Sequence, residues 1–263
     1  MTRRLCLVTG ASAGIGAAFA RLYASKGHDL ALTARRADRL EALAEELRQA
    51  HGVQVLVIPA DLAQPGAVDE VIAGLQERRV DVLINNAGYG LPATYAQTAW
   101  SDQQAFLQVL LTSVCEMTHK LLPGMVERGY GRIVNVASLA GLVPGMPSHT
   151  LYGATKAFLV RFSQSLHLET LETGVHVTAL CPGYTWSEFH DANGTRDMAN
   201  TIPKPMWQDA DTVVRLGYEA VEANRPVRVT GGINRLIAAI CKVVPDSWVL
   251  GHVARWSKRT RHQ

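Results

Sequence analysis

Seven short runs of β-branched and aliphatic residues recur along the chain with helical patterns between most of them, and this alternation constrains the fold more than any other feature. The runs are Leu5 to Thr9, Leu30 to Thr33, Val53 to Ile58, Val82 to Ile84, Ile133 to Val136, Val175 to Leu180 and Val227 to Val229. They read as nearly continuous apolar stretches, as strands buried on both faces must. Between the second and third runs, Arg39 to Ala50 carries Leu40, Leu43, Ala44 and Leu47 at helical spacing. Strand, helix and strand in repetition require crossover connections. The expected class is therefore α/β, a doubly wound parallel sheet of about seven strands with helices on both faces.

Composition agrees with a folded domain of this kind. Of 263 residues, 48% are hydrophobic and 19% charged, with no low-complexity tract or linker to divide them, so residues 1–263 are read as a single domain. Residues 4–231 form its core, 184–208 a substrate lid, and 232–263 a helical tail. The net charge of +3 is mild, and Lys and Arg are scattered except in the tail at Arg255, Lys258, Arg259 and Arg261. That pattern argues against nucleic acid as a partner. Cys6, Cys115, Cys181 and Cys241 stand far apart without zinc spacing, so no metal site is expected. The opening Met1-Thr2-Arg3-Arg4 leads straight into the first strand, which leaves no room for a secretory signal, and the expected location is cytoplasmic. The longest late apolar run, Ile233 to Val244, is broken by Asn234, Arg235 and Lys242 and falls short of a membrane span.

The first strand runs into Thr9-Gly10-Ala11-Ser12-Ala13-Gly14-Ile15-Gly16, with a helix following to about Lys26. Glycines allow a tight turn and a close backbone approach, and a helix that starts there turns free N–H groups toward an anion such as a pyrophosphate. A Rossmann-like, dinucleotide-binding sheet follows. The end of the second strand then selects the nucleotide, because a carboxylate there would bond the ribose diol. None is present. The strand ends Thr33-Ala34-Arg35-Arg36, and Asp38 with Glu41 three residues later reads as a helix capping box. A guanidinium suits a phosphate, so Arg35, with Arg36 or Ser12, favours NADP(H).

In Tyr152-Gly153-Ala154-Thr155-Lys156 a phenol and an amine stand four residues apart, on one face of a helix. Half-ionising a tyrosine at neutral pH takes about 4 kcal/mol of preferential phenolate stabilisation, which a neighbouring ammonium helps to supply. Such a pair alone is weak evidence. It is the order along the chain that gives it weight: the glycine loop, Asp61-Leu62 after the third strand, Asn85-Asn86-Ala87-Gly88 after the fourth, Ser138 after the fifth, then Tyr152, Lys156 and Cys181-Pro182-Gly183.

This ordered set resembles the classical short-chain dehydrogenase/reductase family from Arg4 to about Gly231. The resemblance implies that Gly10, Gly14, Ile15 and Gly16 wrap the pyrophosphate side of the cofactor, that Asp61 and Leu62 lie near its adenine, and that Asn86, Ala87 and Gly88 line its groove. It further implies Tyr152 as general acid/base and Lys156 as the group that holds the nicotinamide ribose and lowers the tyrosine pKa. Ser138 would bond the substrate oxygen, and Pro182, Gly183 and Thr185 would lie against the nicotinamide. Two departures stand out. Leu110 occupies the place where the family often has an Asn that holds a proton-relay water, and Ser138 lies fourteen residues before Tyr152, one more than the commonest spacing. Leu110 could still offer its main-chain carbonyl.

Tyr89, Leu142, Met146, Tyr184, Trp186, Phe189, Met206 and Trp207 are expected around the substrate, and their chemistry points to a lipophilic carbonyl such as a 3-oxoacyl chain, a ketosteroid or a hydrophobic aldehyde. The tail combines Trp and basic residues in a pattern compatible with weak contact to an acidic membrane. Family resemblance also implies a homodimer or homotetramer formed through the helices expected at Gln103 to Arg128 and Tyr152 to Glu172. Two other readings stand beside the reductase: a cofactor-binding sensor or scaffold with little turnover, suggested by Leu110, and a peripheral membrane protein, suggested by the tail.

Overall fold

The computed structural model describes residues 3–91, 93–188 and 202–260. All seven expected strands are present: β1 (Leu5–Thr9), β2 (Asp29–Ala34), β3 (Val55–Pro59), β4 (Val80–Asn85), β5 (Gly131–Val136), β6 (Val175–Cys181) and β7 (Val227–Val229). They form one parallel sheet in the order β3-β2-β1-β4-β5-β6-β7. Strand order reverses between β1 and β4, and in open α/β sheets ligands bind in the crevice beyond the carboxyl ends of the strands at such a reversal.

Strand periodicity divides the core into two layers. From β1, Cys6 and Val8 face Phe19 and Tyr23 of α1 (Gly14–Ser25), with Leu40 and Leu47 of α2 (Ala37–His51) in the same layer. Leu5 and Leu7 face the other way, into the layer that holds Val71 of α3 (Ala67–Gly74), Phe106 of α4 (Trp100–Leu107), Met117 of α5 (Ser113–Glu127) and Leu166 of α6 (Thr150–Glu169). Helix α7 (Ala210–Glu222) adds Val213 and Val214 to the first layer. The chain ends in α8 (Gly232–Val243) and α9 (Asp246–Thr260).

Two expectations need correction. The Asp38–Glu41 capping box does not form: α2 starts at Ala37, its N-cap is Arg36 without a side-chain cap, and Asp38 lies in the first turn, where its charge favours the helix N-terminus instead. The helix expected from Gln103 to Arg128 is interrupted, because a π-helical turn at Gln108–Thr112 separates α4 from α5. The expected lid lies in part outside the described residues, which here stop at Glu188 and resume at Ile202, so Phe189 is not among them.

Candidate active site

The glycine loop is built by packing as much as by turn geometry. Gly10 and Gly14 have positive φ, +65° and +55°. A Cβ on Gly16 would stand 2.3 Å from the Gly10 carbonyl oxygen and 2.5 Å from Asn86 Nδ2. Asn86 is the pin that holds this loop: its Nδ2 donates to the carbonyls of Thr9 (2.9 Å) and Gly10 (3.2 Å), while Thr9 Oγ1 accepts from the N–H groups of Asn86 and Ala87. Helix α1 opens at Gly14 with no side-chain cap on Ala13 and no acid in its first turn. Its N–H groups at Gly14, Ile15 and Gly16 are therefore offered to an anion.

At the end of β2, Arg35 and Arg36 diverge. Arg36 reaches the glycine loop, donating to Ser12 Oγ from Nη2 (2.9 Å) and Nε (3.2 Å), whereas the charge of Arg35 acts on Tyr89, on the β4 side. The acid Asp61 also acts electrostatically on Tyr89; its Oδ1 accepts from the Ala63 N–H, and Leu62 is buried. Two guanidinium groups thus flank the place where residues at the end of β2 meet the adenosine ribose. An uncapped helix start, two left-handed glycines and paired arginines without a carboxylate at the end of β2 are a donor set that fits a dinucleotide with an added phosphate.

Ser138, Tyr152 and Lys156 come together at the carboxyl ends of β5 and β6. Ser138 follows β5 in extended conformation, accepts from the Ala140 N–H (3.1 Å), and is hydrogen-bonded to Tyr152. Lys156, one turn further along α6, is buried and donates from Nζ to the Val136 carbonyl at 2.7 Å, with Nζ 5.7 Å from the Tyr152 ring centroid. Burial without a counter-charge holds the Lys156 pKa down at about 8. The same desolvation raises the Tyr152 pKa, opposed by the bond from Ser138. In the protein alone, then, Lys156 does not depress the tyrosine; its ammonium is committed to Val136. Nearby, burial pushes the Cys181 thiol up to about 12, which leaves it no role as a nucleophile.

The turn after β6 is tied to both neighbours. Pro182 accepts the Leu139 N–H (2.8 Å), joining it to the Ser138 turn, and Thr185, buried, donates to the Gly183 carbonyl. Aromatic rings follow: Trp186 stacks on Trp207 with centroids 4.0 Å apart, and Tyr184 lies 5.5 Å from the same ring. Tyr89 packs edge-on against Phe106 on the opposite side, and Met146 lines a groove of about 700 Å³ between the 143–149 loop, α6 and α9.

A family model described as short chain dehydrogenase matches residues 4–197. The chain belongs to the short-chain dehydrogenase family. Among curated relatives, a sulfoacetaldehyde reductase of Chromohalobacter salexigens is 44% identical over 186 residues, 69% of this chain and 72% of that protein. A very-long-chain 3-oxoacyl-CoA reductase of Bos taurus is 31% identical over 258 residues, 95% of this chain and 78% of that one. Among solved structures, a short-chain dehydrogenase from Sphingobium yanoikuyae in complex with NADPH aligns with TM-score 0.81 and 32% identity, over 98% of this chain and 95% of that one.

As a short-chain dehydrogenase the chain departs from the common pattern at Leu110, and the structure shows what stands there instead. Leu110 is buried within the π turn, with its side chain beside Gly88, where an added Cβ would stand 3.5 Å from Leu110 Cγ. Ser113 Oγ donates to the Val109 carbonyl (2.7 Å) in the same turn. The helix distortion therefore persists without an Asn side chain to induce it. Sequence reasoning also passed over three residues of this short-chain dehydrogenase site. Gly141 brings the Ser138 turn onto the backbone of α6, Asn234 of α8 fills the space beside Gly183, and Glu188 pairs with Arg36 at the N-cap of α2 and Arg39 within it. The first had a legible signal, a glycine three residues after Ser138; the other two pairings are remote in sequence and gave none.

Proposed function

We propose that this short-chain dehydrogenase is an NADP(H)-dependent oxidoreductase that interconverts a hydrophobic carbonyl compound and its alcohol. The observation that carries the reading is the buried cluster in which Ser138 is bonded to Tyr152 and Lys156 lies one helical turn away. Bound NADPH supplies the hydride in this chemistry. The chain's own part is to hold the carbonyl oxygen and move a proton. The bonded hydroxyls of Ser138 and Tyr152 lie close enough to share one carbonyl oxygen, Tyr152 donates its proton to that oxygen as negative charge develops, and the resulting phenolate recovers a proton from solvent. A raised tyrosine pKa keeps the acid protonated until it is needed. Lys156, which donates to Val136 in the protein alone, would hold the nicotinamide ribose with cofactor bound, and its ammonium would stabilise the phenolate.

The remaining assignments rest on the family resemblance and on the arginines after β2. Gly10, Ser12, Gly14, Ile15 and Gly16 take the pyrophosphate side, Arg35 and Arg36 the added phosphate, Asp61 and Leu62 the adenine, and Asn86, Ala87 and Gly88 the floor of the groove. Pro182, Gly183 and Thr185 face the nicotinamide. The aromatic cluster of Tyr184, Trp186 and Trp207 and the apolar groove at Met146 support a lipophilic substrate. We assign the whole chain to one domain in the cytoplasm. Exposed Phe158 and Leu168 on α6 and Val126 on α5 support a homodimer or homotetramer through these helices. No helix among the described residues is long and apolar enough to cross a membrane, but exposed Leu236, Ile240 and Val243 of α8 and Trp248 of α9 support weak surface contact with an acidic bilayer.

The test is oxidation of NADPH against a panel of hydrophobic ketones and 3-oxoacyl thioesters, with Tyr152→Phe as control. Turnover of at least one compound, lowered by 10²-fold or more in the mutant, is expected. Tight NADPH binding with no carbonyl turned over above the mutant level would instead favour a sensor or scaffold.

A further inference from the structure

The end of β2 already holds an anion, and the protein supplies it. Glu188, three residues beyond the Pro182–Thr185 turn, reaches across to the arginines: Arg36 Nη1 donates to its Oε2 at 3.1 Å, and Arg39 Nη1 to Oε1 at 2.7 Å and Oε2 at 2.5 Å. The first guanidinium is the same one that holds Ser12 of the glycine loop. The segment leading to this carboxylate also crosses the loop, since a Cβ on Gly14 would stand 3.0 Å from Ser187 Cβ. A carboxylate between two guanidinium groups, next to a loop hydroxyl and at the strand end where adenosine is read, stands where a phosphate dianion would be held.

We propose that Glu188 is a specificity-determining residue, an internal anion that occupies the Arg36–Arg39 pair until the 2′-phosphate of the cofactor displaces it. This rests on the assignment of NADP(H) above and deepens it. A nucleotide without the phosphate leaves the Glu188 pairs intact and gains nothing from either arginine. NADPH must break them, so Glu188 reduces the preference that the arginines create. Arg36, Arg39 and Glu188 are all about half exposed, so each pair is weak and the displacement is easy. Displacement also frees the 184–188 segment from the cofactor loop, which couples occupancy of the phosphate site to the segment that borders the substrate.

The experiment is equilibrium binding, read by cofactor fluorescence and by competition with adenosine 2′,5′-bisphosphate and with 5′-AMP, on wild type, Glu188→Gln and Arg39→Gln, without any carbonyl present. Expected is a roughly three- to tenfold tighter Kd for NADPH and for the bisphosphate in E188Q, with NADH and 5′-AMP unchanged within about twofold. Arg39→Gln is expected to weaken NADPH and spare NADH. If wild type prefers NADPH but E188Q has the same preference, or binds both cofactors more weakly as loss of a simple clamp would cause, the role of Glu188 is wrong and the cofactor assignment stands. If wild type and both variants fail to separate NADPH from NADH, the phosphate assignment fails and takes this inference with it.

Discussion

The backbone of Gly141 passes so close to that of Lys156 that a Cβ on the glycine would stand 2.5 Å from the lysine carbonyl carbon and 2.6 Å from its oxygen. This contact fixes the height of the Ser138 turn above α6, and with it the distance from the serine hydroxyl to the Tyr152 phenol. Gly141→Ala must push two backbones apart, since neither atom is the end of a flexible side chain. We expect a loss of about 1–3 kcal/mol in unfolding free energy and a fall in kcat of tenfold or more with KM for NADPH little changed. Urea denaturation and steady-state kinetics on the same preparation check both.

Lys156 makes stability depend on pH in a direction opposite to the usual lysine. Its folded pKa of about 8 lies below the unfolded value of 10.5, so between these values the unfolded chain holds the extra proton and stability rises with pH. Below pH 8 the penalty for burying the ammonium is present in full. From pH 8 to 9.5 the gain is about 1.6 kcal/mol. Buried Cys6, Cys181 and Tyr152 have raised pKa values and act in the opposite sense in the alkaline range. Comparison with Lys156→Met isolates the lysine, because these groups are common to both proteins. The difference in unfolding free energy between wild type and mutant, measured without cofactor, is expected to grow in favour of wild type by that amount across the window.

The strands and the Ser138–Tyr152–Lys156 cluster were legible because they are written in local patterns: apolar runs for the sheet, a spacing of four for Tyr152 and Lys156, glycines after β1. Boundaries shifted by a residue or two where flanking residues such as Asp29 and Asn85 joined the ladder despite their polarity. What remained hidden was pairing at long range. Asp38 looked like a cap because its spacing to Glu41 is right, but Ala37 already opens the helix. Asn86 was read as lining the cofactor groove, and the spacing gave no sign that its side chain also pins Thr9 and Gly10, 77 and 76 residues away. The tyrosine pKa was expected to fall through Lys156; in the protein alone burial raises it, and the lysine ammonium is bonded to Val136.

Leu110 tests whether the missing Asn matters. Its side chain is buried beside Gly88, and the π turn at Gln108–Thr112 forms without it. Leu110→Asn places an amide in an apolar pocket and is expected to cost roughly 2–3 kcal/mol of stability without raising kcat more than twofold. A large rise in kcat would show that the natural leucine leaves a proton relay incomplete. Solvent isotope effects on kcat in both proteins give the same comparison a second readout.

Gly183 and Asn234 provide a sharper test of how the tail supports the site. A Cβ on Gly183 would stand 2.3 Å from Asn234 Nδ2, and that amide, almost fully buried, donates to the Thr230 carbonyl at 2.9 Å while its Oδ1 has no partner among the described residues. Gly183→Ala alone must displace the amide, and Asn234→Ala alone loses a buried hydrogen bond and opens space beside the turn. Each is expected to cost about 1–3 kcal/mol and to weaken NADPH binding, because both loosen the Pro182–Thr185 turn. In the double mutant the new methyl occupies the space the amide vacated. The two costs should therefore fall short of their sum by about 1 kcal/mol or more, read from urea denaturation of all four proteins. Strict additivity would mean that Asn234 and the turn after β6 do not act on each other, and that α8 contributes to the fold without shaping the site.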